Sequence, residues 1–178
     1  MQKILIYLAL FLTLSSFCEA RAEGFDVGVG FMYVDSPSQE DVSDLGWDVQ
    51  IGYEMAEVEK WNFGAQLHLL KGWTSKGDVN EDKELGIEDS SMMAYDSQAL
   101  YLTARPKDWW LQLKLGVVHT DYYTVHKDES DVGMAFGVGL VVPSEMIQVH
   151  MLDFHHYQVS GESFNVYTIS MLVLFYMY

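Results

Sequence analysis

The stretch DFHHYQVSGES, residues 153–163, gathers Asp153, His155, His156, Ser160 and Glu162. A hydroxyl, an imidazole and a carboxylate are the parts of an activated nucleophile: the hydroxyl attacks, the imidazole takes its proton and the carboxylate orients the imidazole. Proximity in sequence does not bring such groups into contact, and the spacing here matches no nucleophile motif. A lipid-modifying hydrolase is therefore the third reading of this chain, and no catalytic residue is assigned. The expectation is a solvated rim whose histidines respond to pH.

A second stretch, DVNEDKELGIED (78–89), sets Asp78, Asn80 and Asp82 at positions one, three and five of a calcium loop, with Asp89 at twelve. That pattern requires glycine where Lys83 stands, a bidentate glutamate where Asp89 stands, and a helix on either side. The expectation is a solvated acidic loop that associates loosely with divalent ions, with no specific metal site and no cofactor. Gly137 and Gly139 lie in a glycine-rich run, but no helix follows to make it a phosphate cradle. A third set of polar residues recurs at every second position: Asp26; Asp48, Gln50 and Glu54; Gln66 and His68; Asp96 and Gln98; Gln112 and Lys114; Gln148 and His150. What those groups do depends on the elements that carry them.

The elements are strands. In FDVGVGFMY, Phe25, Val27, Val29, Phe31 and Tyr33 alternate with Asp26, Gly28, Gly30 and Met32. The same two-residue period runs through LGWDVQIGYEM (45–55), WNFGAQLHL (61–69), WWLQLKLGVVH (109–119) and VGMAFGVGLVV (132–142). Bulky apolar residues on one face and small or polar ones on the other mark strands rather than helices. YDSQALYLT (95–103), IQVHMLDF (147–154) and the terminal segment bring the count to eight, with the face of 95–103 ambiguous. Each strand has about ten residues, enough for a tilted membrane crossing. Long acidic connections at 36–44, 72–92, 120–131 and 157–163 alternate with short turns at 56–60, 104–108 and 143–146. Long on one side and short on the other is the pattern of a transmembrane barrel.

The bulky faces must meet lipid. A narrow eight-stranded barrel cannot hold six large side chains from Leu45–Met55 and equivalent rows from other strands, whereas glycine suits its crowded interior. The third set of polar residues then lines the lumen. Asp48, Glu54, His68, Asp96, Lys114 and His150 form its expected polar network, with Lys114 bridging to Glu54, Asp48 or Asp96, since a lone buried cation needs a partner. A structural network is the first reading of this set, and a gate or proton relay the second. The last strand is expected to present Leu172, Leu174, Tyr176 and Tyr178 to lipid and to close the barrel on the first strand, leaving no open edge.

The rest of the chain agrees with export. Lys3, the apolar run Ile4–Leu14 and Ala20-Arg21-Ala22 compose a signal peptide over residues 1–22, and Phe17 before Cys18 argues against lipidation. Its removal takes away Lys3, Arg21 and Glu19, moving the formal charge from −16 to −17, and takes away the single cysteine. Disulfide and thiol chemistry are thereby excluded from residues 23–178, and so strong a negative charge disfavours nucleic acid as a partner.

The segments LYLTARPKDWWLQLKLGVVHTDY (100–122), SDVGMAFGVGLVV (130–142), IQVHMLDF (147–154) and FNVYTISMLVLFYMY (164–178) resemble the small OmpA-like and OmpX-like outer-membrane β-barrel domains of Gram-negative bacteria. The resemblance rests on an arginine-containing turn, Lys114-x-Gly116-Val117, a glycine strand and a closing aromatic. It implies an all-β, eight-stranded antiparallel transmembrane up-and-down barrel over residues 23–178, located in the outer membrane. The partners it implies are outer-membrane lipid, lipopolysaccharide and the barrel-assembly machinery, which would read Tyr178; a monomer is expected. Members act as structural anchors, adhesins or small pores. Here a structural or interaction scaffold with acidic external loops is the first expectation and a narrow gated pore the alternative; no enzyme is expected. Two departures stand out: Gln148 and His150 replace an inward glutamate pair, and Tyr167, Ile169, Met171, Val173, Phe175 and Met177 would fill the lumen along the last strand, plugging that end.

Overall fold

The computed structural model describes residues 24–36, 42–58, 60–86, 93–107, 109–142, 147–159 and 161–175; the side chains of 55–57, 147–151 and 173–175 lie outside the description. The signal-peptide segment, Asp89, Ser160 and Tyr178 also fall outside it. Eight strands pair in sequence order as β1 (Gly24–Ser36), β2 (Val42–Val58), β3 (Trp61–Gly72), β4 (Ala94–Pro106), β5 (Leu111–Tyr123), β6 (Asp128–Val142), β7 (Ile147–Val159) and β8 (Glu162–Phe175). Every neighbour is antiparallel, and β8 returns to β1 with Phe175 opposite Phe25 and Asn165 opposite Asp35, closing the barrel. Closure satisfies the backbone groups that an open edge would leave facing hydrocarbon.

Large apolar side chains point outward. Val29, Phe31, Trp47, Leu102, Leu113, Leu115, Phe136 and Ile169 are all exposed, while the residues between them are buried. On β5 the outward row runs Leu111, Leu113, Leu115 and Val117 before it turns polar at His119 and Asp121. The same change falls at Asp35 on β1 and Lys71 on β3. A band of four or five such rows around a closed barrel is a lipid-facing surface.

The strands run further than the sequence pattern indicates. Three of the four outer connections are short, at 37–41, 124–127 and 160–161, and only 73–93 is long. The acidic stretches 120–131 and 157–163 therefore belong largely to paired strands that continue beyond the apolar band, not to loops. Polar residues are tolerated on the outward face there because it stands beyond the apolar band, while the inward face, with Tyr122, Tyr157 and Val159, stays buried. Gly161 has φ of +85°, a conformation that suits glycine in the tight β7–β8 turn.

The long connection contains a helix, α1 (Lys76–Glu84), which takes up 78–84 of the stretch expected as a loop over 78–89. Ser75 caps it: the Asp78 backbone N–H donates to Ser75 Oγ, and the Asp78 carboxylate accepts from the Ser75 backbone N–H at 2.7 Å. This reciprocal capping box satisfies donors that a helix start leaves open. Val79 packs against Ala94 and Val125, and Lys76 Nζ meets the Asp128 carboxylate at 2.8 Å, so α1 is docked on the β5–β6 hairpin.

Candidate functional site

The lumen has three layers. At the outer end Met32, Tyr95, Tyr101, Tyr122, Tyr157 and Phe164 are essentially inaccessible to solvent and pack as one apolar core. Aromatic rings meet across it, with Tyr95 and Phe164 centroids 5.5 Å apart and Tyr122 and Phe164 4.9 Å apart. The bore is closed here by side chains.

The middle layer is polar and equally buried. Lys114 Nζ donates to Asp153 Oδ2 at 2.7 Å and lies 3.4 Å from His68 Nε2. His68 Nδ1 is 3.3 Å from Asp48 Oδ1, and Gln50 Nε2 donates both to Asp48 and, at 2.8 Å, to Ser170 Oγ. The His155 ring lies 4.9 Å from that of His68 and 5.2 Å from that of Tyr101. At the inner end a small cavity is lined by Asp26, Glu54, Asn62, Gln66, Arg105 and Gln112, among others, with Arg105 paired to Glu54 at 3.3 Å.

Asp48, Glu54, His68 and Lys114 thus occupy the lumen, as the alternation of β2, β3 and β5 indicates. Lys114 bridges to Asp153, however, and not to Glu54, Asp48 or Asp96. Asp96 is corrected outright: with Gln98 it faces outward, and it pairs with Lys71 at the edge of the apolar band. β4 points Tyr95, Ser97, Ala99, Tyr101 and Thr103 inward. Its alternation is ambiguous because tyrosines stand on the face that elsewhere carries small or polar residues.

Asp153 and His155 are fully buried lumen residues, not rim residues, so they belong to no surface cluster. The cause is a β-bulge. β7 shifts register against β8 between His150 and Asp153 and against β6 between Leu140 and Val141. One extra residue reverses which parity faces inward. The side chain of His150 lies outside the described residues.

β8 is likewise reversed. Phe164, Val166, Thr168, Ser170 and Leu172 point inward, while Tyr167, Ile169 and Met171 face out. Both faces of this strand are apolar, so alternation cannot choose between them; pairing with β1 does, setting Leu172 against Gly28 and Ser170 against Gly30. Thr168 and Ser170 are small and polar, so that strand does not plug the lumen. The plug comes instead from tyrosines on β4, β5 and β7, joined at the outer end by Phe164 of β8.

The calcium-like positions are also spent otherwise. Asp78 serves the helix cap, and its hydrogen bonds from Ser75 hold its carboxyl below the usual range. Asn80 accepts from the Tyr123 hydroxyl. A helix cannot fold around an ion as the twelve-residue loop does. Arg105 escapes a sequence reading because Ala-Arg-Pro-Lys-Asp looks like a turn, whereas β4 extends through Pro106.

No protein-family model and no curated protein matches the chain. Solved structures do. Ail, the attachment invasion locus protein of Yersinia pestis, superposes with a TM-score of 0.52 at 14% identity, over 87% of this chain and 100% of its own. Ail in complex with the heparin analogue sucrose octasulfate gives 0.51 at 15% identity, over 86% and 99%. The outer membrane protein OprG from Pseudomonas aeruginosa gives 0.51 at 15% identity, over 89% and 98%. The protein has the fold of the small eight-stranded outer-membrane β-barrels, and its lipid-facing band is that of a membrane-spanning barrel.

Proposed function

We propose that this is a bacterial outer-membrane barrel serving as a structural or interaction scaffold, displaying a folded, acidic outer face. The carrying observation is the closed bore: Tyr95, Tyr101, Tyr122, Tyr157 and Phe164 fill its outer half without exposure to solvent. A bore whose outer half is filled by solvent-inaccessible side chains offers no open path for a solute. Beyond the membrane band the hairpins and α1 carry Glu81, Asp82, Asp121, Asp128, Glu129 and Asp131.

That charge selects partner chemistry. Ail was solved with a polysulfate, but an acidic face repels polyanions and draws basic polypeptides, more weakly as salt rises. Purified barrel in zwitterionic-lipid nanodiscs should bind immobilised polylysine at low salt and leave heparin unbound; heparin binding would overturn the acidic-scaffold reading. In planar bilayers the protein should give no discrete conductance steps. Steady openings would establish the alternative, a gated pore.

A further inference from the structure

We propose that His68, Asp153 and His155 form a binding site for a borderline transition-metal cation such as Zn²⁺ or Co²⁺, buried one layer deeper in the lumen than the small inner cavity. One ligand atom from each residue lies within 4.8 Å of the others, and all three residues are buried. Two imidazoles and one carboxylate are the donor set such cations take, and hard alkaline-earth ions prefer all-oxygen sites.

The surroundings favour a site over a chance cluster. Asp48 Oδ1 stands 3.3 Å from His68 Nδ1 while His68 Nε2 lies on the Lys114 side, so a small ring movement would give the histidine the outer carboxylate that metal-binding histidines use. Gly137 and Gly139 face the same space. A Cβ at Gly139 would overlap Asp153 Oδ1, and one at Gly137 would come within 2.9 Å of His155 Nδ1, so the wall of β6 is cut back where these side chains stand. The layer between the cluster and the inner end is polar. Asp26 Oδ1, Gln66 Oε1 and Gln112 Oε1 are buried acceptors with no hydrogen-bond partner among the described residues, and all three belong to the inner cavity. Gln66 and Gln112 precede His68 and Lys114 by two residues on β3 and β5, so they form the next layer of the same wall.

Lys114 is the built-in competitor. Its ammonium stands 2.7 Å from Asp153 and 3.4 Å from His68 Nε2, where a bound cation would stand. A metal enters by displacing it. The site does not depend on the scaffold role: it concerns only the lumen.

Tag-free barrel in zwitterionic detergent, held in excess Mg²⁺ to saturate the acidic surface, is titrated with Co²⁺ by visible absorption and with Zn²⁺ by calorimetry. One saturable site is expected, with two histidine ring signals broadened by Co²⁺ in the unsubstituted protein. His155→Gln should abolish binding. Asp48→Asn should weaken it by about tenfold, as loss of an outer-layer carboxylate does. Lys114→Met should tighten it, because a like charge no longer competes. Each variant is first confirmed as folded by its strand circular dichroism. Absence of saturable binding in both the unsubstituted protein and Lys114→Met would overturn the proposal. So would binding that survives His155→Gln and His68→Ala, which would place the metal on the remaining histidines, His119, His126, His150 or His156.

Discussion

At the scale of single residues, Asp153 matters more than any surface carboxylate. Asp153→Ala leaves the Lys114 ammonium in a buried layer without its ion-pair partner, a change that typically costs about 3–5 kcal/mol. Urea unfolding in micelles should show that loss, whereas Lys71→Ala, which breaks the exposed pair with Asp96, should cost less than about 1 kcal/mol. Equal effects would mean that the lumen layer is hydrated and weakly coupled. Sequence reading found only half of this pair. Lys114 sits on a strand whose Leu113 and Leu115 are plainly outward, so its face is legible. Asp153 follows a bulge that no alternation reveals, and Arg105 sits beside a proline that imitates a turn.

At the scale of elements, α1 depends on its cap. The depressed carboxyl of Asp78 contributes while ionised, above its unfolded range, and that contribution is lost as pH falls through the folded value. Amide protection factors in α1, referred to the intrinsic rate at each pH, should therefore stay high at neutral pH and fall in acid ahead of those in the strands. Ser75→Ala should remove about 1 kcal/mol of local stability at neutral pH and leave the unfolding of the barrel unchanged. Protection in α1 that is indifferent to both would locate its stability in Val79 and the Lys76–Asp128 contact instead. α1 is polar throughout apart from Val79 and Gly77, so no apolar stripe marks it in the sequence. β1, β2, β3, β5 and β6 are legible because their two faces differ sharply in size and polarity. β8 is not, since Ile169, Met171 and Leu172 make both faces apolar and only the register with Gly28 and Gly30 decides.

At the scale of the whole molecule, the apolar band predicts depth-dependent tolerance. Leu115→Arg lies mid-band beside Phe136 and should cost about 2–4 kcal/mol, against about 0–1 kcal/mol for Val132→Arg nearer the edge. Refolding titrations into bilayers of fixed thickness check both. A reversed order would mean that the outward face does not meet hydrocarbon at these positions.

The β5–β6 tip is a hub. Thr124 closes the turn, its N–H donating to the Lys127 carbonyl at 2.8 Å, Lys127 reaches Glu162 on the next hairpin, and Asp128 holds α1. Whatever approaches from outside meets hairpins that have already adopted their final shape. Such a partner forfeits little conformational freedom on the protein's account and must itself conform. Recognition at this tip would then be fast, selective for contour, and unforgiving of inserted residues.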